Sequence, residues 1–244
     1  MKNPFKKIIS QDGELINSQI FVLLFIGFII TFFLKEFQFL KPLSFYVTSV
    51  HEICHGLAAI LTNGEIVEIN LHNKGGVATT KGGIFPIISM AGYVGTAIIG
   101  ALLLFLSQKE KWIDIFLIIF SITMIILNTM YINSYTNTYY ISSMVLSISI
   151  LFSVRVSFTR QIGVFLSALF IFDSFTDAKI YLFYKFTGNT EDLQNIIYQT
   201  DAGILARHFG DESLTVFIGI GFLLINLFIY SITLYFILRN KKSN

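Results

Sequence analysis

Residues 42–62 read PLSFYVTSVHEICHGLAAILT, an apolar run that is long enough to cross a lipid bilayer as a helix. His51, Glu52 and His55 break its apolar character at the centre. On a helix, the two histidines project from the same face one turn apart, and Glu52 lies beside them. Because such groups are costly within an apolar span, the triplet predicts a functional site inside the membrane.

The composition of the chain is that of an integral membrane protein. Of its 244 residues, 54% are hydrophobic and 13% are charged, whereas a soluble domain carries about 25% charged residues. The formal net charge of +2, without a basic tract interleaved with aromatic residues, argues against a nucleic-acid partner. The single cysteine, Cys54, excludes an internal disulfide. The lipid bilayer is therefore the expected environment of this chain.

Further apolar segments on both sides of the first run predict a polytopic, all-α membrane protein. A membrane-spanning helix needs about 20 apolar residues. The segments that meet this requirement are 15–34, 84–108, 115–154, 160–183 and 213–238, and the third of them is long enough for two spans joined by a turn at 133–137. We expect about seven helices, in a range of roughly six to eight. They form one domain over residues 1–244, in the cell membrane.

Residues 64–83 predict a β-hairpin directly after the HExxH helix. Strand-forming residues occupy two runs, and Asn73-Lys74-Gly75-Gly76 between them favours a tight turn. Since an open sheet edge does not face lipid, the hairpin is expected at the membrane interface or within a protein-lined cavity. The polar residues 185–212 predict an extramembrane loop before the last helix.

The HExxH pattern predicts a zinc site. Two imidazoles at this spacing can ligate one zinc ion, and Glu52 can take a proton from the attacking water. A third ligand must come from elsewhere in the fold. Asp173 and Asp177 are candidates because they are carboxylates within an otherwise apolar helix, where one could be a ligand and the other its support. His72 and His208 lie in polar segments, and a surface or interfacial role is expected for His72, which is near the hairpin turn.

The stretch HEICHGLAA at residues 51–59 resembles the core motif of the site-2-protease superfamily of intramembrane zinc metalloproteases, and its closest similarity is to the compact M50B-like branch. The resemblance continues through Gly64-Glu65-Ile66-Val67, Gly75-Gly76, Gly82-Gly83, Ala91-Gly92-Tyr93-Val94-Gly95, Phe172-Asp173 and Thr200-Asp201-Ala202. It implies that His51, His55 and Asp173 ligate zinc and that Glu52 is the catalytic base.

These features together predict hydrolysis of peptide bonds in membrane-embedded or membrane-adjacent substrates. The hairpin, with Gly75 and Gly76, is expected to present an extended substrate to the site by strand addition. A substrate helix must first unwind, because its amides are bonded within the helix. Two other classes of function fit the same residues: a catalytically silent metal-binding scaffold or chaperone, and an ion- or proton-conducting membrane protein.

Overall fold

The computed structural model of the chain describes residues 17–33, 37–72, 75–132, 138–155, 158–187 and 199–240. Within these residues, two helices precede a hairpin and further helices follow it. The elements are α1 (Asn17–Phe33), α2 (Lys41–Leu61), β1 (Gly64–His72), β2 (Gly75–Gly82), α3 (Phe85–Leu106), α4 (Glu110–Tyr131), α5 (Thr138–Ser153), α6 (Thr159–Thr187), α7 (Asp201–His208) and α8 (Thr215–Asn240).

The long helices lie on the apolar segments of the sequence, which confirms a mostly helical chain with a small hairpin. Three stretches of the described chain are long and apolar enough to cross a membrane: Phe85–Leu106, Glu110–Tyr131 and Glu212–Arg239. The total number of spans stays a prediction. The predicted turn at 133–137 lies outside the described residues.

The predicted hairpin is present directly after α2. Its strands pair antiparallel, with Ile69 opposite Ala78 and Leu71 opposite Gly76. Ile69 and Leu71 are buried in the main hydrophobic core. Gly75 and Gly76 belong to β2 rather than to the turn, because pairing of the strands continues up to Gly75. Both glycines therefore lie in paired strand rather than at the tip of the hairpin.

Helix α2 lies at the centre of the fold, against α3, α5 and both strands. A Cβ at Gly56 would lie 2.5 Å from Cδ1 of Ile66, so glycine at this position lets β1 pack directly on the helix. On another face, Ser49 donates a hydrogen bond of 2.7 Å to Oδ1 of Asn128, whose Nδ2 donates to Oγ of Ser143 at 3.0 Å. These buried polar groups join α2 to α4 and α5.

A short helix, α7, forms within the predicted loop 185–212. Oγ1 of Thr200 caps it by accepting a 3.3 Å hydrogen bond from a backbone N–H of its first turn. Ala202 and Leu205 of α7 are buried against aromatic side chains of α3 and α8. This packing brings Asp201, the first residue of α7, to α2. Location of the segment outside the membrane stays a prediction.

Candidate metal centre

Three side chains from two distant parts of the chain meet beside the centre of α2. Nε2 of His51 lies 2.9 Å from Oδ2 of Asp201, and Nε2 of His55 lies 3.2 Å from the same oxygen. One ligand atom from each residue lies within 4.8 Å of the others. Two imidazole nitrogens and a carboxylate oxygen form a ligand set that zinc accepts, so this cluster could hold a metal ion.

Helix α3 orients the cluster through two polar contacts. Nδ1 of His55 lies 2.6 Å from the carbonyl oxygen of Ile88. Because a carbonyl can only accept, Nδ1 carries a proton, and Nε2 is the nitrogen available to a metal ion. Next along α3, Ser89 donates a hydrogen bond of 3.1 Å to the backbone carbonyl of Asp201. That bond ties the first turn of α7 to α3, the helix whose Ile88 carbonyl contacts His55.

Helix α3 also approaches the cluster closely at Gly92. A Cβ at this position would clash with the Nε2 atoms of both His51 and His55. The glycine therefore keeps the space between the ligand atoms open. The ring of Tyr93 meets the ring of His51 edge-on, with centroids 4.8 Å apart. The same tyrosine stacks on Phe222 of α8 at 5.4 Å. Helix α3 therefore leaves room for an ion and packs an aromatic ring against one of its ligands.

Glu52 is in contact with the hairpin. Its side chain is buried, and its carboxylate lies close to the backbone of Ala78 in β2. A Cβ at Gly76 would lie 2.8 Å from its Oε1. The carboxylate interacts electrostatically with both histidines but does not belong to the group of ligand atoms. Glu52 therefore lies beside the cluster without being one of its candidate ligands.

The family model described as peptidase M50B-like matches residues 21–233 of the chain. This match covers most of the chain and includes every residue of the cluster. The chain belongs to the peptidase M50B-like family. Membership supports a metallopeptidase at the level of the family, and together with the three apolar helices it identifies a membrane protein. No curated protein and no solved structure matches the chain.

In this M50B-like chain, the carboxylate brought to the two histidines is that of Asp201 rather than that of Asp173. Asp173 interacts electrostatically with His51, but it does not share the group of ligand atoms. The physical reason is the packing of α6, which lies mainly along α1 and α3 and has little contact with α2. The side chain of Asp177 lies outside the part of the chain that the structure describes.

The sequence-based prediction assigns no role to Asp201, although the signal is present. Thr200-Asp201-Ala202 resembles the Thr/Ser-Asp-Ala segment of the M50B-like branch, and threonine is a favourable residue before the first turn of a helix. The remaining histidines lie apart from the cluster. His72 is exposed at the end of β1, and the ring of His208 packs on Phe85 with centroids 4.5 Å apart.

Proposed function

We propose that this protein is a multi-pass intramembrane zinc metalloprotease, with His51, His55 and Asp201 as metal ligands and Glu52 as the general base. The main support for this proposal is that one carboxylate oxygen of Asp201 lies close to Nε2 of both histidines. Ligand atoms bound to a tetrahedral zinc ion at about 2.0–2.2 Å lie roughly 3.3 Å apart. The separations of 2.9 Å and 3.2 Å within the cluster are close to that value.

The side chains around the cluster have distinct roles in hydrolysis. Zinc, when bound, supplies a Lewis acid that activates water and polarises the scissile carbonyl. Glu52 accepts a proton from the attacking water and delivers it to the leaving amine. The carbonyl of Ile88 and the ring of Tyr93 hold the imidazoles of His55 and His51, so that both Nε2 atoms stay directed at the site.

The geometry of the hairpin favours an extended peptide as the substrate. Within the described residues, β1 pairs with β2 and also bridges Ile132, whereas the strand pairing of β2 is with β1. The outer edge of β2 is thus available for an added strand. Strand β2 also contacts the Glu52 side chain, at Gly76. A membrane segment that unwinds easily would supply such a strand.

Cleavage and metal content test this function together. The purified, detergent-solubilised protein is mixed with a reporter peptide, an apolar segment of about 20 residues interrupted by Gly-Pro, with a fluorophore and a quencher at its ends. We expect cleavage, about one zinc ion per chain by elemental analysis, and loss of both in His55→Ala. Glu52→Gln is expected to keep the metal and to lose about 10²–10⁴-fold in rate.

Glu65→Gln is the matched control, because Glu65 is exposed on the hairpin, where it pairs with Lys81 at 3.4 Å. We expect this variant to cleave like the wild-type protein. Cleavage at the wild-type rate by Glu52→Gln would overturn the proposal. Zinc binding without cleavage would identify a metal-binding scaffold, and ion flux across reconstituted vesicles without cleavage would identify an ion path.

A further inference from the structure

Gly76 lies in a strand position where its backbone does not require glycine. Its φ angle is not in the left-handed region, whereas that of the neighbouring Gly75 is +147°. The reason for a glycine here is space. A Cβ on Gly76 would lie 2.5 Å from Cγ, 2.8 Å from Oε1 and 2.9 Å from Cδ of Glu52. Each of these distances is shorter than an ordinary van der Waals contact, so a larger residue would displace the carboxylate.

The pairing register explains why β2 meets Glu52 at this point. Gly76 and Ala78 lie opposite Leu71 and Ile69, which are buried in the core. Directly opposed residues of an antiparallel pair project to the same face of the sheet. The inward face of β2 therefore carries small residues, which allows Glu52 to approach the strand.

The backbone of β2 faces the same carboxylate. Alternate residues of a strand direct their N–H groups away from the neighbouring strand. The backbone N–H of Ala78 faces the Glu52 carboxylate, so this group belongs to the edge of β2 that is not used in pairing with β1. Gly76 therefore gives the Glu52 side chain its space, and the main chain of β2 offers its carboxylate a hydrogen-bond donor nearby.

We propose that β2 positions the general base: Gly76 leaves the space that the Glu52 carboxylate occupies, and the Ala78 N–H fixes the direction of that carboxylate. This inference rests on the proposed protease function. Gly76 and Ala78 act through Glu52 and are positioning residues. The strand edge expected to receive an extended substrate is then also the element that aims the base, so hairpin and HExxH helix form one functional unit.

The first test introduces a Cβ with Gly76→Ala. Misplacement of a catalytic group by about 1 Å can cost about 10²-fold in rate. We therefore expect kcat for the reporter peptide to fall about 10²-fold, while KM and zinc content stay unchanged. Gly221→Ala is the matched control, because a Cβ at Gly221 meets no atom within 4 Å. We expect wild-type kcat in this control.

A double-mutant cycle separates positioning from general damage. Glu52→Asp shortens the acidic side chain by one methylene and makes room for the added Cβ. We expect Gly76→Ala to cost clearly less kcat in the Glu52→Asp background than in the wild-type background, because the two residues act on one another. Equal costs in both backgrounds would overturn the inference.

A second variant, Ala78→Pro, removes the backbone N–H of residue 78. The side chain that faces the core at this position stays small. Proline is tolerated where the N–H of an edge strand is not used in the ladder. We expect a lower kcat at unchanged KM and zinc content. A raised KM at unchanged kcat would overturn the inference, since this edge would then serve the substrate alone.

The cleavage assay also distinguishes this inference from the function on which it rests. If the wild-type protein cleaves the reporter peptide and Glu52→Gln does not, the protease function stands. Wild-type kcat in Gly76→Ala and Ala78→Pro would then overturn the positioning role alone. A wild-type protein that holds zinc but does not cleave the peptide would overturn both.

Discussion

Nε2 of His51 lies 2.9 Å from Oδ2 of Asp201, although 150 residues separate the two along the chain. His51 lies in the middle of a helix of 21 residues, and Asp201 begins a helix of only eight. Their contact requires α7 to dock between α3 and α8. The candidate metal centre is therefore a product of tertiary packing and not of the HExxH motif alone.

The carboxylate of Asp201 is expected to be required for metal binding. Asp201→Asn keeps the shape of the side chain but removes its charge. Loss of an outer-shell partner typically weakens metal binding about 10–100-fold, and we expect Asp201→Asn to weaken zinc binding by at least this factor. Titration of the purified protein against a competing chelator measures the change.

Asp173→Asn is the matched control for the third ligand. It makes the same chemical change in the acidic residue on α6, whose carboxylate is not part of the cluster. We expect zinc affinity close to that of the wild-type protein. Loss of zinc in Asp173→Asn, with normal binding in Asp201→Asn, would identify Asp173 on α6 as the third ligand.

Gly92 is expected to be essential for a different reason. Its missing side chain leaves open the space into which the Nε2 atoms of His51 and His55 point. The methyl group of Gly92→Ala would occupy that space, so we expect loss of bound zinc in a protein that is otherwise folded. Elemental analysis and far-ultraviolet circular dichroism check both parts of the prediction. Wild-type zinc content in Gly92→Ala would contradict it.

The main helices and the hairpin could be predicted because each depends on a local property of the sequence. The apolar run at 42–62 predicts a helix within one residue of the observed Lys41–Leu61. The strand-forming runs predict the hairpin, although Gly75 extends the second strand. Helix α7 could not be predicted in this way. It has eight residues, and its formation depends on a cap at Thr200 and on packing against other helices.

The residues of the candidate site also differ in whether local sequence predicts them. His51, Glu52 and His55 follow from their spacing on one helix. The third carboxylate does not, because spacing along the chain does not show which distant segment will dock. Rarity of acidic residues in apolar helices favours Asp173, whereas Asp201 lies in a polar segment whose approach to α2 is set by α3 and α8. Only the Thr-Asp-Ala resemblance marks Asp201 in the sequence.

The cap of α7 is expected to affect metal affinity without touching the metal. Oγ1 of Thr200 accepts a hydrogen bond from the N–H of Gly203. Loss of such a cap costs about 1 kcal/mol. If this energy is lost from the docked form of α7, Thr200→Ala should bind zinc about fivefold more weakly. Thr200→Ser retains a hydroxyl and should bind like the wild-type protein. Equal zinc affinity in all three proteins would show that the cap does not support the site.

The buried polar chain through Asn128 is expected to stabilise the arrangement of α2, α4 and α5. Asn128 accepts a hydrogen bond from Ser49 and donates one to Ser143. Asn128→Ala removes both bonds and leaves two buried hydroxyls without their shared partner. Interhelical hydrogen bonds within membranes contribute about 0.6–2 kcal/mol each, so the loss of two bonds is expected to lower the free energy of unfolding by about 1–4 kcal/mol. Thermal denaturation in detergent measures the change as a lower Tm.

Thr129→Ala is the control for this effect, because the Thr129 hydroxyl is exposed and bonds to the carbonyl of Ile125 in its own helix. Its Tm should stay close to that of the wild-type protein. Equal losses in Thr129→Ala and Asn128→Ala would mean that helix α4 is sensitive to any truncation. A loss confined to Asn128→Ala would show that the polar chain itself stabilises the fold. Since Ser49 lies two residues before His51, these hydrogen bonds would then anchor α2, the helix that carries both candidate histidine ligands.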